Sequence, residues 1–308
     1  MNSRHVFIAL AQFCQDSEAP RQLLRREGFS FDENRSGRRL RSEELISAAQ
    51  SASAIVAGIE PYDGATLRAL PALKCISRCG VGVDSIDNDE ARRLGISVRT
   101  TPDVVAEPVA QLTVAMILSL ARRLPEASAA MREGHWDRNT GFLLSEWTVG
   151  IVGFGRIGQA VERCLRPFGP KVCVADPGLR DPLPSGVTLV DMNSLLAQAD
   201  VVSIHAARPR VEEPLVGAAE IQKMKRGARL VNTSRGYLVD EAALGEALKA
   251  GHLSGAALDV FETEPYSGPL LSFPQVLCTP HLGTLTRASR NAMELKAVEN
   301  VISFLRGL

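Results

Sequence analysis

The sequence predicts an α/β protein with two parallel sheets, each covered by helices on both faces. Short apolar runs alternate with helical segments along most of the chain. Most of these runs are continuously apolar, as expected for strands that are buried on both faces. The alternation is interrupted once, after Thr101-Pro102, by a long apolar helical segment, and it then resumes. Two such series indicate two doubly wound domains.

The first series has predicted strands at 6–10, 54–59, 73–79 and 96–100, and helical segments near 18–28, 42–50, 64–70 and 88–94. The interrupting helix is predicted over 104–132, with Pro125 ending or kinking it. Its apolar residues occupy most of its circumference, so we expect it to be buried between domains or subunits. The second series has predicted strands at 148–154, 171–176, 187–190, 201–205, 228–234, 255–261 and 275–281, and a final helix near 286–306.

Composition narrows the class of protein. The 308 residues are 45% apolar and include 35 basic and 35 acidic residues, a balance that does not favour nucleic acid or anionic membranes as partners. The apolar run near the N-terminus is too short for a signal peptide, and no uncharged apolar stretch reaches the roughly 18 residues of a membrane span. The six cysteines lack metal-ligand spacing. We expect a cytoplasmic protein with reduced thiols, no metal site, and neither a membrane nor a nucleic-acid partner.

A predicted strand runs directly into the glycine-rich turn 153–158, GFGRIG. Gly153 permits the tight turn, Gly155 lets a pyrophosphate approach the backbone, and Gly158 lets the following helix pack on the strand. The helix N-terminus, which contains Arg156 and Ile157, then faces the phosphates with its free N–H groups. The turn therefore predicts a Rossmann dinucleotide-binding domain.

The residue at the end of the next strand indicates which dinucleotide is bound. Asp176 lies there, and its carboxylate would bind the adenosine ribose hydroxyls and repel the 2′-phosphate of NADP. NAD is therefore the predicted cofactor. Because Arg180 follows closely, use of NADP as well stays open.

Polar residues follow three predicted strands of the second series, at the edge where a doubly wound sheet binds its ligands. They are Arg235, Glu264 and His281. Taken separately, each has an ordinary interpretation, as a surface ion pair, a loop carboxylate and a strand-end hydrogen-bonding group. Their joint occurrence in sequence blocks is more informative.

Three of these blocks, NTSRGYLVDE at 232–241, GAALDVFETEP at 255–265 and TPHLGT at 279–284, resemble the signatures of the D-isomer-specific 2-hydroxyacid dehydrogenase family. The resemblance covers nearly the whole chain and includes RCGVGVDSID at 78–87. It implies a Rossmann NAD domain at 101–281 that is inserted into a flavodoxin-like substrate domain formed by 1–100 and 282–308. It also implies an active site in the cleft between these domains.

The resemblance implies a role for each candidate residue. Arg235 would bind the substrate carboxylate with its planar guanidinium and polarise the 2-oxo group. His281 would be the acid/base, and Glu264 would be its partner, favouring the imidazolium and fixing which ring nitrogen faces the substrate. Backbone N–H groups of Val81 and Gly82 would bind the substrate carboxylate. Around the nicotinamide end of the cofactor the resemblance places Asp259, which would hold the carboxamide, and also His205, Ala206, Thr233, Ser234, His281 and Gly283; His205 is interpreted as structural.

Two departures from the family pattern bear on function. After His205 the family usually has a proline and then a threonine, but this chain continues Ala206-Ala207-Arg208-Pro209, which weakens the prediction of cofactor contacts by that loop. Phosphoglycerate dehydrogenases have an arginine after the strand that precedes the 80–82 segment. This chain has none in 57–62, and Glu60 would repel a phosphate if it faced the cleft. Because the sequence ends at Leu308, we also expect the C-terminal regulatory domains of some of those enzymes to be lacking.

The predicted substrate is therefore a small unphosphorylated 2-hydroxy or 2-oxo acid, and 3-phosphoglycerate is the alternative. A second alternative is an NAD(H)-sensing protein of the corepressor type, which shares the fold and the catalytic residues. The sequence gives this alternative little support, because we see no extra segment that would recruit partner proteins. Formate dehydrogenases usually have glutamine at the position of Glu264, which argues against that activity. Family members pair through the region of the 104–132 helix, so a homodimer is predicted.

Overall fold

The chain folds into two compact units. A computed structural model describes residues 4–179, 182–207 and 213–307. The first unit extends up to Val105 and resumes at Thr286, and the second extends from Ala106 to Leu285. The chain therefore forms most of the first unit, then the whole second unit, and returns to the first with its last helix.

Parallel strands and connecting helices make up the first unit. Its strands are β1 (His5–Ile8), β2 (Ser30–Glu33), β3 (Ala54–Ala57), β4 (Cys75–Arg78) and β5 (Ser97–Arg99). Its first helices are α1 (Ala19–Arg26), α2 (Ser42–Ala49), α3 (Gly64–Arg68) and α4 (Asn88–Arg93). The strand order is β2-β1-β3-β4-β5, which is the flavodoxin-like order that the sequence predicts.

Strand β2 is the one element of this unit that the sequence pattern does not predict. Its sequence, Ser30-Phe31-Asp32-Glu33, is polar, and its residues alternate between exposed and half-buried. It lies at the edge of the sheet, where it pairs only with β1 among the described strands. An edge strand that is open to solvent needs no continuous apolar run, so it lacks the signal that reveals the buried strands.

Within the described residues, the second unit has seven strands and six α-helices. The strands are β6 (Thr148–Val152), β7 (Lys171–Ala175), β8 (Val187–Leu189), β9 (Val201–Ile204), β10 (Arg229–Asn232), β11 (Gly255–Leu258) and β12 (Val276–Cys278). The helices are α5 (Ala106–Ala121), α6 (Leu124–Arg132), α7 (Arg156–Leu165), α8 (Met192–Gln198), α9 (Ala218–Lys223) and α10 (Glu241–Lys249). All strands are parallel, in the order β12-β11-β10-β9-β6-β7-β8, which confirms the doubly wound prediction. The order reverses between β6 and β9, where such a sheet binds its ligand.

The long helix predicted over 104–132 is two helices in the structure. The break lies at Arg123, which has a left-handed backbone with a φ of 54°, and Pro125 occupies the first turn of α6. Helix α5 packs against α7, β10 and β11 of its own unit. Residues 102–121 have the length and apolar composition of a membrane-crossing helix, but more than half of that stretch is buried within the protein. Its apolar surface is therefore explained mainly by the core of one unit.

The chain ends with α11 (Arg287–Arg306), which packs on α1, β3 and β4 of the first unit. Each face of that sheet has its own apolar cluster. In β3, Ala54 and Val56 belong to the cluster that includes α11, while Ile55 and Ala57 belong to the opposite cluster. This two-sided burial explains why the strands have continuous apolar runs.

Candidate active site

The glycine turn after β6 has a steric need for glycine at the first and last of its three motif positions. Gly153 has a φ of 89°, and a Cβ there would lie 2.7 Å from the backbone of Ala206. A Cβ at Gly158 would overlap the carbonyl oxygen of Gly153. By contrast, a Cβ at Gly155 would meet no described atom within 4 Å. The first and last glycines therefore let the chain pack tightly, and the middle one leaves open space.

That open space fits the pyrophosphate of a dinucleotide. Gly155 is the N-cap of the ten-residue helix α7 and makes no side-chain cap hydrogen bond. Arg156 and Ile157 form the first turn, whose N–H groups and positive dipole end favour an anion. The turn and helix therefore have the shape and electrostatics that the sequence predicts for a cofactor site.

Asp176 directly follows β7 and lies beside the glycine turn. Its Oδ2 accepts a hydrogen bond from the Phe154 N–H at 2.8 Å, and its Oδ1 accepts one from the Gly178 N–H at 2.8 Å. The carboxylate is therefore held at the end of β7, as required for a ribose-binding acid. Arg180, which bears on the choice between NAD and NADP, lies outside the described residues.

His205 follows β9 on the other side of the switch point. Its Nε2 lies 2.8 Å from Ser203 Oγ, and its Nδ1 has no hydrogen-bond partner among the described residues. Burial lowers the pKa of His205 to about 3, so the ring is neutral at physiological pH. The backbone of His205 and Ala206 packs directly on Gly153. These contacts support a structural role beside the cofactor turn; Arg208 and Pro209 of the same loop lie outside the described residues.

The structure brings His281 and Glu264 together. His281 Nδ1 lies 2.9 Å from Glu264 Oε2, and Glu264 Oε1 accepts a hydrogen bond from the Phe261 N–H at 3.1 Å. Burial opposes ionisation of Glu264, but the hydrogen bond and charge of His281 outweigh it, so that the pKa of Glu264 is lowered. His281 also has a left-handed backbone, with a φ of 54°. Such strained non-glycine conformations concentrate at functional sites.

Arg235 lies in the loop after β10. Its guanidinium Nη1 donates a hydrogen bond to the Ser234 carbonyl at 2.8 Å. The charge of Arg235 also contributes to lowering the pKa of Glu264. The loop is fastened by Asn232, a buried residue whose side chain accepts from the Ser234 N–H and donates to the Arg235 carbonyl. Asn232 opens the 232–241 block, and the sequence pattern predicts no role for it. The available signal is a polar residue directly after the apolar pair Leu230-Val231, at the carboxyl end of the strand.

Gly236 is a second residue that the sequence analysis leaves without a role. A Cβ at this position would overlap the backbone of Phe261 and Glu262. At Gly236, the loop that carries Arg235 therefore lies directly against the backbone of the loop that carries Glu264. Only glycine permits this approach, which keeps the arginine and the carboxylate in one site.

Gly236→Ala is expected to lower the free energy of unfolding by about 3 kcal/mol, because the added methyl group must force two backbone segments apart. Thermal and urea unfolding measure the change. Gly245→Ala is the matched control: Gly245 lies in α10, and a Cβ there would make only an ordinary contact of 3.8 Å with Leu270. That control should be neutral or stabilising by up to about 1 kcal/mol. Equal stability of the two variants would contradict the proposed backbone contact.

Asp259 has a more specific environment than its predicted contact with the carboxamide suggests. It is 1% exposed, and its carboxylate accepts hydrogen bonds from the Thr279 hydroxyl, the Leu282 N–H and the Gly283 N–H, at 2.5, 2.7 and 2.8 Å. Its carbonyl also accepts from the His281 N–H at 2.8 Å. Asp259 therefore holds in place the loop that carries His281.

The segment predicted to bind the substrate carboxylate lies in the first unit, after β4. Gly80 has a φ of 136°, Val81 is 38% exposed, and the Gly82 carbonyl accepts a hydrogen bond from Arg78 Nε at 3.0 Å. The N–H groups of Val81 and Gly82 therefore lie in a tightly turned, braced segment. Their contact with substrate stays a prediction.

Glu60 does not project into solvent, so the expected repulsion of a phosphate loses its basis. The residue is 2% exposed, and its carboxylate accepts hydrogen bonds from the Gly58 N–H at 2.8 Å and the Tyr62 hydroxyl at 3.2 Å. Burial raises the pKa of Glu60. The absence of an arginine from 57–62 is the remaining argument about phosphate. Within the described residues, no group of three or more potential metal ligands is present.

Comparisons with known proteins agree with this geometry. Residues 114–283, more than half of the chain, match the family model described as D-isomer specific 2-hydroxyacid dehydrogenase, NAD binding domain. A glyoxylate reductase of Thermococcus litoralis is 38% identical over 262 residues, which cover 80% of this chain and 78% of that protein. A D-3-phosphoglycerate dehydrogenase of Archaeoglobus fulgidus is 37% identical over 273 residues, which cover 86% of this chain. The chain spans about half of that relative, 52% of its length.

Similarity in structure extends over nearly the full length. The D-lactate dehydrogenase of Aquifex aeolicus, solved as a complex with NAD and lactic acid, has a TM-score of 0.86 and 27% sequence identity. The match covers 98% of this chain and 96% of that structure. With the glycine turn, the histidine–glutamate pair and the two parallel sheets in place, this chain belongs to the D-isomer specific 2-hydroxyacid dehydrogenase family.

Proposed function

We propose that the chain is an NAD-dependent dehydrogenase that transfers a hydride between NAD(H) and C2 of a small, unphosphorylated D-2-hydroxy acid or its 2-oxo form. The main support for this proposal is the 2.9 Å contact between His281 Nδ1 and Glu264 Oε2. This pair follows β11 and β12, at the same sheet edge as the glycine turn after β6. An imidazole held by a carboxylate is suited to the proton transfer that ketone reduction requires.

Each residue of the pair has a defined part in the reaction. NAD(H), when bound, supplies or accepts the hydride at its nicotinamide ring. Glu264 is ionised and only accepts hydrogen bonds, so Nδ1 of His281 carries a proton, and Nε2 is left to exchange a proton with the substrate oxygen. Arg235 offers the substrate carboxylate two parallel N–H groups and a permanent charge.

The preference for an unphosphorylated substrate rests on the loop after β3. No arginine or lysine is present in 57–62, so this loop supplies no cation for a phosphate. The family resemblance places the phosphate-binding arginine of phosphoglycerate dehydrogenases at this point. The named relatives include both a glyoxylate reductase and a phosphoglycerate dehydrogenase, so 3-phosphoglycerate is the second candidate.

A substrate panel tests the proposal. Glyoxylate, pyruvate, hydroxypyruvate, longer 2-oxo acids and phosphohydroxypyruvate are each reduced with NADH and with NADPH, and kcat/KM is measured from cofactor absorbance. We expect an unphosphorylated acid with NADH to exceed phosphohydroxypyruvate by about tenfold or more. A preference for phosphohydroxypyruvate would contradict the proposed unphosphorylated substrate and favour 3-phosphoglycerate. NADH binding without turnover of any acid would instead favour the sensor alternative.

We further propose that the protein is a cytoplasmic homodimer that pairs through the stretch 124–143, which includes the C-terminal part of the predicted 104–132 helix. Helix α6 has no buried residue, and the stretch exposes five large apolar side chains: Leu124, Met131, Trp136, Phe142 and Leu143. Clustered exposed apolar residues of this kind are typical of protein interfaces. A second copy of the chain is the occupant that the family resemblance implies.

Met131→Asp combined with Trp136→Asp is expected to convert the dimer to a monomer, because each carboxylate would be buried without a partner at the interface. Light scattering after size-exclusion chromatography measures the mass. Leu271→Asp is the matched control, since Leu271 is 57% exposed but lies outside the stretch. A monomeric parent protein, or a double variant that remains dimeric, would overturn this proposal.

A further inference from the structure

Two threonine hydroxyl groups meet in the core of the second unit. Thr113 on α5 is fully buried, and Thr233, directly after β10, is 7% exposed. Their Oγ1 atoms lie 2.9 Å apart, although 120 residues separate them in sequence. Thr113 Oγ1 also lies 2.8 Å from the Val109 carbonyl in the preceding helical turn. The family resemblance gives Thr113 no role.

The direction of these hydrogen bonds follows from the number of protons. A carbonyl oxygen only accepts, so Thr113 must donate its single hydroxyl proton to Val109. The contact between the two threonines then has one possible direction, in which Thr233 donates and Thr113 accepts. Because its proton is committed, the Thr233 oxygen offers only lone pairs to any other partner. Thr113 therefore fixes Thr233 as a hydrogen-bond acceptor.

Thr233 lies where the nicotinamide half of a bound dinucleotide would extend. The pyrophosphate site is at the end of β6 and the ribose-binding Asp176 is at the end of β7, so the other half extends over β9, β10 and β11. Thr233 and Asp259 follow the last paired residues of β10 and β11, and the Asp259 N–H donates to the Asn232 carbonyl at 2.9 Å. The Asp259 carboxylate already accepts three hydrogen bonds from the 279–283 loop.

We propose that Thr113 is a positioning residue that orients the Thr233 hydroxyl as an acceptor for the carboxamide N–H group of the nicotinamide ring. The carboxamide has two N–H donors. The Asp259 carboxylate already accepts three hydrogen bonds, so it can accept from only one of these donors, and the other needs a second acceptor. Without the Thr113 oxygen, the Thr233 hydroxyl can rotate and present its proton to the same N–H group. This inference rests on the proposed NAD site but not on the proposed substrate.

The test compares two cofactors that differ at the carboxamide. NADH carries the amide, whereas the reduced 3-acetylpyridine analogue keeps the carbonyl and replaces the amino group with a methyl group. Dissociation constants for both are measured by fluorescence titration of the protein without substrate. Thr113→Val is expected to weaken NADH binding about fivefold and to leave binding of the analogue nearly unchanged. Thr113→Ser, which restores a hydroxyl, should bind NADH like the parent.

A second variant keeps the proposal testable if α5 tolerates valine poorly. Thr233→Val removes the acceptor itself and should produce the same selective loss, and the double variant should show no further loss. Thermal unfolding of each protein without cofactor reports any general destabilisation. The proposal would be overturned by any of three results. These are an equal loss of affinity for both cofactors, an unchanged affinity of Thr113→Val for NADH, and a parent protein that binds no NADH. Failure of every 2-oxo acid as a substrate would overturn the proposed function alone, because the binding ratio needs no turnover.

Discussion

His281→Gln is expected to lower kcat for reduction of the preferred 2-oxo acid by about a thousandfold, with NADH affinity close to that of the parent. Glutamine keeps a polar side chain of similar reach, but it has no proton to transfer at neutral pH. The hydrogen bond to Glu264 can be retained in part, so the loop is not expected to unfold. Most of the proposed cofactor contacts, at Gly153, Gly155 and Asp176, lie on other loops and remain.

Steady-state kinetics and a fluorescence titration with NADH measure the two quantities separately. His252→Gln is the control, because His252 is a histidine of the same unit that lies outside both the candidate site and the stretch 124–143, and glutamine can keep its hydrogen bond to the Ile221 carbonyl. This variant should have the parent kcat. An unchanged kcat in His281→Gln would remove His281 from the reaction. A parallel loss of NADH affinity would mean that the substitution disturbs the 279–283 loop rather than proton transfer.

Arg235→Gln is expected to lower kcat/KM by about a thousandfold or more, because two charge-assisted hydrogen bonds to the substrate carboxylate, each worth about 1.5–3 kcal/mol, are lost together. Arg235→Lys should fall between this variant and the parent, since the ammonium keeps the charge but lacks the planar fork. The loss should appear in both KM and kcat, because in the proposed reaction the guanidinium would also stabilise charge that develops on the 2-oxo oxygen.

Arg226→Gln provides the control for this series, because Arg226 is an exposed arginine of the same unit and outside the candidate site. Its kcat/KM should equal that of the parent. NADH affinity should be unchanged in all three variants. If Arg235→Lys were fully active, a bidentate contact with the carboxylate would be excluded, and a point charge would be sufficient.

The sequence reveals the buried strands and the candidate site because both have local signals. Strand β3 is a continuous apolar run, and the glycine turn, Arg235, Glu264 and His281 each follow such a run at the same sheet edge. Strand β2 is missed because it is a half-exposed edge strand without that run. The break in the 104–132 helix is predicted from Pro125, and the structure places it at Arg123, two residues earlier, where the backbone is left-handed.

Supporting residues are missed for a different physical reason. Gly236 is needed because its backbone meets residues 261–262, and Thr113 matters because it meets Thr233. Both contacts join segments that are distant in sequence, so neither has a local pattern. The inward orientation of Glu60 is also missed, because it depends on hydrogen bonds from the Gly58 N–H and the Tyr62 hydroxyl, which residue composition does not predict.

The arrangement of Gly58 and Glu60 has a consequence for how this loop can change in evolution. A Cβ at position 58 would lie 2.8 Å from Glu60 Oε1 and 3.2 Å from the side chain of Leu10, so the carboxylate occupies the space that any side chain at 58 would need. Gly58→Arg, the substitution that would bring a phosphate-binding cation to the end of β3, is therefore unfavourable while Glu60 is present. Loss of Glu60 alone would leave the Gly58 N–H and the Tyr62 hydroxyl without their buried acceptor. The two positions constrain each other's replacement, so a single mutation is not expected to turn this loop into a cationic one.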